Sequence, residues 1–115
     1  MKEVKSCKKI HHKKDKGVES VIRVVCKAKL KPGVDLEEYI KIAREVVSVT
    51  RREKGCIKFI LHEDIHDPTI LTTIEEWVDE QAINDHNKNE DVWRYVKELR
   101  PLREYTEINS YREVE

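Results

Sequence analysis

Two histidines and a tryptophan are the residues of this chain whose types and spacing could do chemistry. Trp77 closes an Ile-Glu-Glu-Trp run, His86 follows nine positions later, and His62 lies in the preceding apolar stretch. A histidine can accept and return a proton near neutral pH, and an indole offers a flat apolar face and one N–H donor. Their order predicts a small-molecule pocket that Trp77 and His86 both enter. The simpler alternative is that His86 packs against a neighbouring helix and Trp77 anchors a hairpin.

Fewer chemical roles are open to the other polar side chains that we expect near this tryptophan. Strand alternation sends the adjacent Glu75 and Glu76 to opposite faces of a sheet, so they cannot act as a paired acid and base. Glu75 shares a face with Thr73 and Trp77, and a carboxyl buried there must find a donor such as an arginine. Cys26 is a small thiol on an apolar strand, where packing is a commoner role than nucleophilic attack.

The composition bounds the class of protein. The chain has 115 residues, enough for one domain, with 40% charged and 38% hydrophobic residues. It contains no apolar run long enough to span a membrane and no apolar segment after its N-terminal lysines, so we expect a cytoplasmic protein without a membrane partner. Three cysteines without a Cys-x-x-Cys pair predict reduced thiols. The sequence has no glycine-rich phosphate loop, nucleophile elbow or His-Glu-x-x-His run, and nucleotide chemistry is therefore disfavoured.

The N-terminal residues 1–18 differ in character from the rest. The first 16 residues hold seven lysines against two acidic residues and show neither helical nor strand periodicity. They predict a basic, loosely docked arm ahead of a domain spanning 19–115. Because the remainder is acidic, no nucleic-acid partner is expected. Cys7, His11 and His12 have the ligand types of a metal site but lack a fourth partner, so no metal or other cofactor is predicted.

Hydrophobic periodicity predicts the elements that must position these side chains. The first strand is expected over Val21–Leu30, followed by a Pro-Gly turn and a helix that Asp35 caps and Gly55 ends. Strands over Cys56–Glu63 and Ile70–Trp77 flank a turn at Asp67 and form a β-hairpin. The remaining elements are a short helix that Asp79 caps and that carries His86, a second helical segment ending at Pro101, and a last strand over Tyr105–Val114.

This order is β-α-β-β-α-β, the α+β, ferredoxin-like split βαβ arrangement, with a four-stranded antiparallel sheet and helices on one face. The other face needs a cover. We expect a homodimer formed by stacking of two sheets, with Val25, Ile60, Ile74 and Ile108 as interface candidates and the final strand projecting beyond its own sheet.

These residues resemble the antibiotic biosynthesis monooxygenase family, the quinol monooxygenase-like group of the dimeric α+β barrel superfamily. The resemblance spans roughly residues 21–102 and rests on the order of several weak motifs: Lys31-Pro32-Gly33, Glu53-x-Gly55-Cys56 with Phe59, Asp67-Pro68, Ile74-Glu75-Glu76-Trp77 and Ala82-x-x-x-His86. It implies a homodimer that binds small, often aromatic or quinone-like molecules between sheet and helices. Several members of the family oxidise such molecules with O₂ and without metal or flavin.

Two branches of that family test the resemblance. The four pocket positions of the polyketide-oxidising branch, His, Asn, Trp and Tyr, correspond to His62, Thr73, Trp77 and Ile83, so two are kept. The Asn, Trp and His of the haem-degrading branch correspond to Cys26, His86 and Val96, so none is kept and haem cleavage is not expected.

The resemblance thus implies a cofactor-independent monooxygenase acting on a small aromatic or quinol. Its base would be His86, with His62 as second candidate, because the anion of a phenol or quinol can hand an electron to O₂. The expected substrate-binding residues are Trp77, Thr73, Ile83, Cys26, Phe59 and Trp93. Two other functions remain open: a non-enzymatic small-molecule-binding or sensing dimer, and an isomerase of a small metabolite that uses the same histidines.

Overall fold

The computed structural model describes residues 21–115, which form a four-stranded antiparallel sheet and three α-helices. The predicted arm, with Cys7 and its neighbouring histidines, lies outside the described residues. The elements in chain order are β1 (Ile22–Leu30), α1 (Leu36–Thr50), β2 (Cys56–Glu63), β3 (Ile70–Trp77), α2 (Glu80–Asn87), α3 (Glu90–Leu99), a 3₁₀ turn (Arg100–Leu102) and β4 (Arg103–Arg112). The strand order in the sheet is β2-β3-β1-β4, so the ferredoxin-like prediction is confirmed.

The helices cover one face of this sheet. Alternate residues of β1 turn toward the helices, and Ile22, Val24 and Leu30 are buried there. Helix α1 contributes residues at helical spacing to the same hydrophobic core, including Tyr39, Ala43 and Val46. Asp35 caps α1 by accepting a hydrogen bond from the Glu38 amide at 3.2 Å.

Helix α1 ends earlier than predicted. It stops at Thr50, with Arg51 as its C-cap, and residues 51–55 form a turn before β2. Gly55 does not adopt the left-handed conformation of a helix-ending glycine, since the positive φ belongs to Gly33 among the described glycines. The prediction that Gly55 ends the helix is therefore wrong. A glycine is needed here because the backbone packs closely against Ala82.

The last strand also differs from its prediction. β4 begins at Arg103 and lies along β1, with Arg103 opposite Leu30 and Arg112 opposite Ile22. It does not project beyond the sheet. Ile108 lies opposite Cys26 and so shares the helix-covered face, because paired residues of antiparallel strands point to the same side. Its expected place in a sheet-stacking interface is therefore wrong.

The opposite face of the sheet carries an apolar row. Ile74 on β3 pairs with Ile60 on β2 and with Val25 on β1, so the three side chains lie side by side. Ile60 and Ile74 are 41% and 42% exposed in the single chain. Within residues 21–115, no helix is long and apolar enough to cross a membrane.

Candidate functional site

A cavity of about 610 Å³ lies between the helix-covered face of the sheet and the helices. Small and apolar residues of β1 form its floor, among them Val24, Cys26 and Ala28. Residues of β2 and β3, of all three helices and of β4 supply its remaining walls. The cavity has the size of many small-molecule sites and combines an apolar lining with a few ionisable side chains.

His86 is the central ionisable residue of this cavity. The side chain of Asp79 caps α2 by accepting the Ala82 amide at 2.9 Å, and His86 lines the cavity from the last turn of that helix. Its Nδ1 lies 2.9 Å from Oε1 of Glu53, with side chains 14% and 15% exposed. A nitrogen that close to a carboxylate oxygen carries the hydrogen and donates it. The neutral ring therefore keeps its basic lone pair on Nε2.

Glu53 is itself held in place by a second donor. Nδ2 of Asn89, at the start of α3, donates to Oε2 of Glu53 at 2.6 Å. One carboxylate thus joins the turn before β2 to two helices. Its two oxygens are used by two different side chains, so the orientation of the His86 ring is tied to the packing of three elements.

Gly55 explains how this turn reaches the helix. A methyl group at Gly55 would overlap Cβ of Ala82 and press on Val78. The Gly55 carbonyl accepts the Val78 amide at 3.0 Å, which fixes the approach. The missing side chain lets the turn that carries Glu53 touch α2, and this brings Glu53 within hydrogen-bonding distance of His86.

Trp77 and Phe59 support the His86 ring. The ring centroids of Trp77 and Phe59 lie 4.8 Å and 5.8 Å from that of His86, and the Phe59 and Trp77 rings meet edge to face at 80°. Phe59 lines the cavity, as expected, but Trp77 is 0% exposed and does not. The expectation that a ligand stacks on Trp77 is corrected: the end of β3 lies under α2, and the indole fills the space behind the site.

Glu75 is a buried carboxyl on the cavity wall, 6% exposed. Trp77 Nε1 donates to one of its oxygens at 2.9 Å and the Thr73 hydroxyl donates to the other at 2.8 Å. The donors are two neighbours on its own strand, not the expected arginine. Burial raises the pKa of Glu75 above the ordinary 4.5, and the two hydrogen bonds oppose part of that rise.

His62, the second candidate base, lies outside this site. Phe59 and Leu61 of β2 line the cavity, so strand alternation turns His62 to the other face of the sheet. The side chain is exposed, and its Nδ1 lies 3.1 Å from the carbonyl oxygen of Ile60, two residues earlier on the same strand. The expectation that His62 contributes a base is corrected on this geometry.

The remaining predicted pocket residues do line the cavity: Thr73, Ile83, Cys26 and Trp93. Burial raises the pKa of the Cys26 thiol, which favours the neutral, unreactive form and agrees with a packing role. Trp93 is half exposed at the rim and carries the guanidinium of Arg100 at 4.8 Å from its ring centroid.

Sequence reasoning did not find four polar residues of the site: Glu53, Asn89, Arg100 and Arg103. Both arginines line the cavity, and Nε of Arg103 donates to the Tyr39 hydroxyl at 2.9 Å. Glu53 belongs to a recognisable motif, but its partner is 33 residues away in the chain. Among residues 21–115, no group of three or more His, Cys, Asp or Glu side chains is arranged to hold a metal ion.

Comparison with known proteins places this geometry in a family. The chain is 31% identical to a conserved protein of known structure from Methanosarcina mazei Go1, which superposes with a TM-score of 0.77 over 84% of this chain and 95% of that one. A crystal structure described as an antibiotic biosynthesis monooxygenase is 26% identical, with a TM-score of 0.73 over 78% of this chain and 95% of the other.

A more distant likeness has a described activity. SnoaB, a cofactor-independent oxygenase from Streptomyces nogalater, shares the fold at 14% identity, with a TM-score of 0.72 over 80% of this chain and 91% of SnoaB. No curated protein sequence matches the chain. Residues 21–98 match the family described as antibiotic biosynthesis monooxygenase. Because that match covers most of the chain, this protein belongs to the antibiotic biosynthesis monooxygenase family.

Proposed function

We propose that this protein oxidises a small hydroxylated aromatic or quinol with O₂, without a metal or flavin, and that His86 is the base. The observation that carries the proposal is the Glu53–His86 hydrogen bond at 2.9 Å, which holds the hydrogen on Nδ1 and leaves Nε2 basic in a ring that lines an apolar cavity. The cofactor-independent activity of SnoaB, which has the same fold, supports the reaction class.

The reaction balances with the substrate as the source of all electrons. For a phenol with hydrogen at its para carbon, His86 takes the hydroxyl proton, and the phenolate passes one electron to O₂. The resulting radical and superoxide join at the para carbon, and the imidazolium protonates the peroxide. His86 then removes the C–H proton while the O–O bond breaks, and the leaving hydroxide takes that proton as water. One oxygen atom remains in the quinone.

The surroundings of His86 favour the first of these steps. The Glu53 carboxylate, 2.9 Å from the ring, stabilises the imidazolium that forms beside it, and this attraction is stronger in a largely buried pair than in open water. Glu75 also lines the cavity, and burial raises the pKa of its carboxyl, which opposes a negative charge at that position.

Oxygen uptake by chelator-treated protein, measured with a panel of phenols, naphthols and hydroquinones, tests the proposal. We expect His86→Ala to lower the rate by about 10²–10⁴-fold, the usual contribution of a positioned base. His62→Ala is the matched control and should keep the wild-type rate, because that histidine lies on the other face of the sheet. Absence of uptake across the panel, or equal rates in wild type and His86→Ala, would remove the oxygenase proposal.

A second function is favoured by one observation, the presence of two proton-exchanging groups, Glu75 and His86, in the lining of one cavity. Such a pair suits an isomerase that moves a proton between two carbons beside a carbonyl. This reaction needs no O₂. Exchange of substrate C–H hydrogen with deuterated solvent under argon would favour the isomerase over the oxygenase.

We also propose that the protein works as a homodimer in the cytoplasm. The row of Ile60, Ile74 and Val25 on the helix-free face supports a second copy as its cover. Cys26 and Cys56 are free thiols in the structure, as is usual in a reducing compartment.

A further inference from the structure

The cavity has two chemically different ends. At one end lie Glu75, opposite Val24 on β1, and His86, which packs on the Phe59 ring. At the other end Ala28 pairs with Thr106. Arg103, the first residue of β4, lies beyond this pair, opposite Leu30. Val24 and Ala28 are four residues apart on one strand, a span of about 13 Å at the usual rise. A one- or two-ring aromatic molecule fits that length.

The Arg103 end carries positive charge without a matching carboxylate. Neither Arg100 nor Arg103 forms a salt bridge within residues 21–115. Nε of Arg103 donates to the Tyr39 hydroxyl, Nη1 lies 3.4 Å from the Thr106 hydroxyl, and Nη2 has no hydrogen-bond partner among the described residues. Both arginines line the cavity, and Arg100 is exposed to solvent. The acidic residue on the same lining, Glu75, lies at the other end.

Both guanidinium groups are held in position. Tyr39, a residue of α1, is buried in the hydrophobic core, and its hydroxyl accepts the hydrogen bond from Nε of Arg103. The guanidinium of Arg100 lies against the ring of Trp93. A guanidinium whose plane is already fixed loses little freedom when it binds a planar or tetrahedral oxyanion. Such a contact at the edge of an apolar cavity is stronger than it would be in open water.

We propose that the ligand of this cavity is an aromatic oxyanion, with its ring on the apolar floor, its hydroxyl toward His86 and a carboxylate or phosphate-type group at Arg103 and Arg100. The placement of the hydroxyl rests on the proposed function. The oxyanion contact rests on the two arginines alone. A neutral phenol of the same shape would leave both guanidinium groups without an anionic partner.

Calorimetric binding under argon tests this assignment. The probes are para-hydroxycinnamate, its neutral amide para-hydroxycinnamamide and para-hydroxystyrylphosphonate. We expect the carboxylate, the phosphonate or both to bind about tenfold or more tightly than the amide, as for hydrogen bonds to a charged group. The two anions distinguish a carboxylate ligand from a phosphate ligand. An amide that binds as tightly as both anions would overturn the proposal.

Arg103→Gln should lower affinity for the preferred anion about tenfold and leave the affinity for the amide within about twofold. Arg94→Gln is the control, since Arg94 lies on α3 with its side chain 64% exposed and outside the cavity. Equal weakening of anion and amide by Arg103→Gln would also refute the proposal. If Arg103→Gln does not fold, Arg100→Gln and the wild-type comparison decide the question.

The failures of the two proposals can be told apart. Binding under argon requires no turnover, so a preference for the anion can be measured even if oxygen uptake is absent, and that result would refute the oxygenase alone. Oxygen uptake with neutral phenols and no preference for the anion would refute the oxyanion site alone.

Discussion

Replacement of Glu75 by Gln should make the protein more stable as the pH rises, relative to wild type. Glu75 is 6% exposed, and burial raises its pKa from 4.5. Gln keeps the shape and the hydrogen bonds: its carbonyl accepts from Trp77, and the Thr73 hydroxyl rotates to accept from its amide. The substitution therefore removes the ionisation and little else.

The sign follows from proton binding. Because the folded state holds the Glu75 proton more tightly than the unfolded state, folding stability falls as the pH rises from 4.5 to the raised pKa. Within that window wild type loses up to about 1.4 kcal/mol per pH unit from this group. Glu75→Gln lacks this loss. His86 and Glu53 act on the carboxyl in opposite directions, the first favouring and the second opposing ionisation.

Urea unfolding between pH 4 and pH 8, at one fixed protein concentration, measures the effect. The unfolding free energy of Glu75→Gln minus that of wild type should be near zero at the acid end and grow toward neutral pH. Glu76→Gln is the matched control, because the Glu76 carboxyl lies on the other face of β3 beside Arg23. The unfolding free energy of this variant should fall with pH as it does in wild type. A difference that stays flat, or shrinks with pH, would refute the burial argument for Glu75.

Three further predictions concern the support of the site and the dimer. Glu53→Ala leaves the donors of His86 and Asn89 without their acceptor and should cost about 1.5–3 kcal/mol in urea unfolding, against a small effect of Lys54→Ala; equal costs would contradict the buried network. Gly55→Ala should cost about 1–3 kcal/mol by overpacking, and adding Ala82→Gly should recover part of that loss; two additive losses would exclude the contact. Ile74→Lys should give a 13.7 kDa monomer in light scattering, because it places a charge in the proposed sheet-stacking interface. Ile65→Lys, in an exposed loop, is the control and should stay dimeric. A monomeric wild type would exclude the sheet-stacked dimer.

The order of the elements was predictable because it depends on local patterns. β2 and β3 begin and end where alternation and the turn at Asp67 predict, and the Asp79 cap locates the helix that carries His86. The same alternation separates His62 from Phe59 and already argues against its place in the cavity. That inference needed only the periodicity of β2.

The partners of the site residues were not predictable in the same way. Glu53 and His86 are 33 residues apart, and Tyr39 and Arg103 are 64 apart, so their pairing depends on how separate elements pack. Trp77 shares a strand face with Glu75, but its position at the end of β3 under α2 buries it completely. Alternation along a strand predicts which face of the sheet a side chain lies on. It does not predict which helix or loop covers that side chain.

The ionisation of a phenol bound in the cavity tests the role of His86 most directly. Para-nitrophenol, added under argon at a pH where the free phenol is mainly protonated, reports its own ionisation by visible absorbance. If His86 is the base, para-nitrophenol bound to wild type or to His62→Ala shows a phenolate band, and this band is lost in a His86→Ala variant that still binds the phenol. Bound phenol that stays protonated in wild type, or phenolate that persists in His86→Ala, would contradict this role of His86.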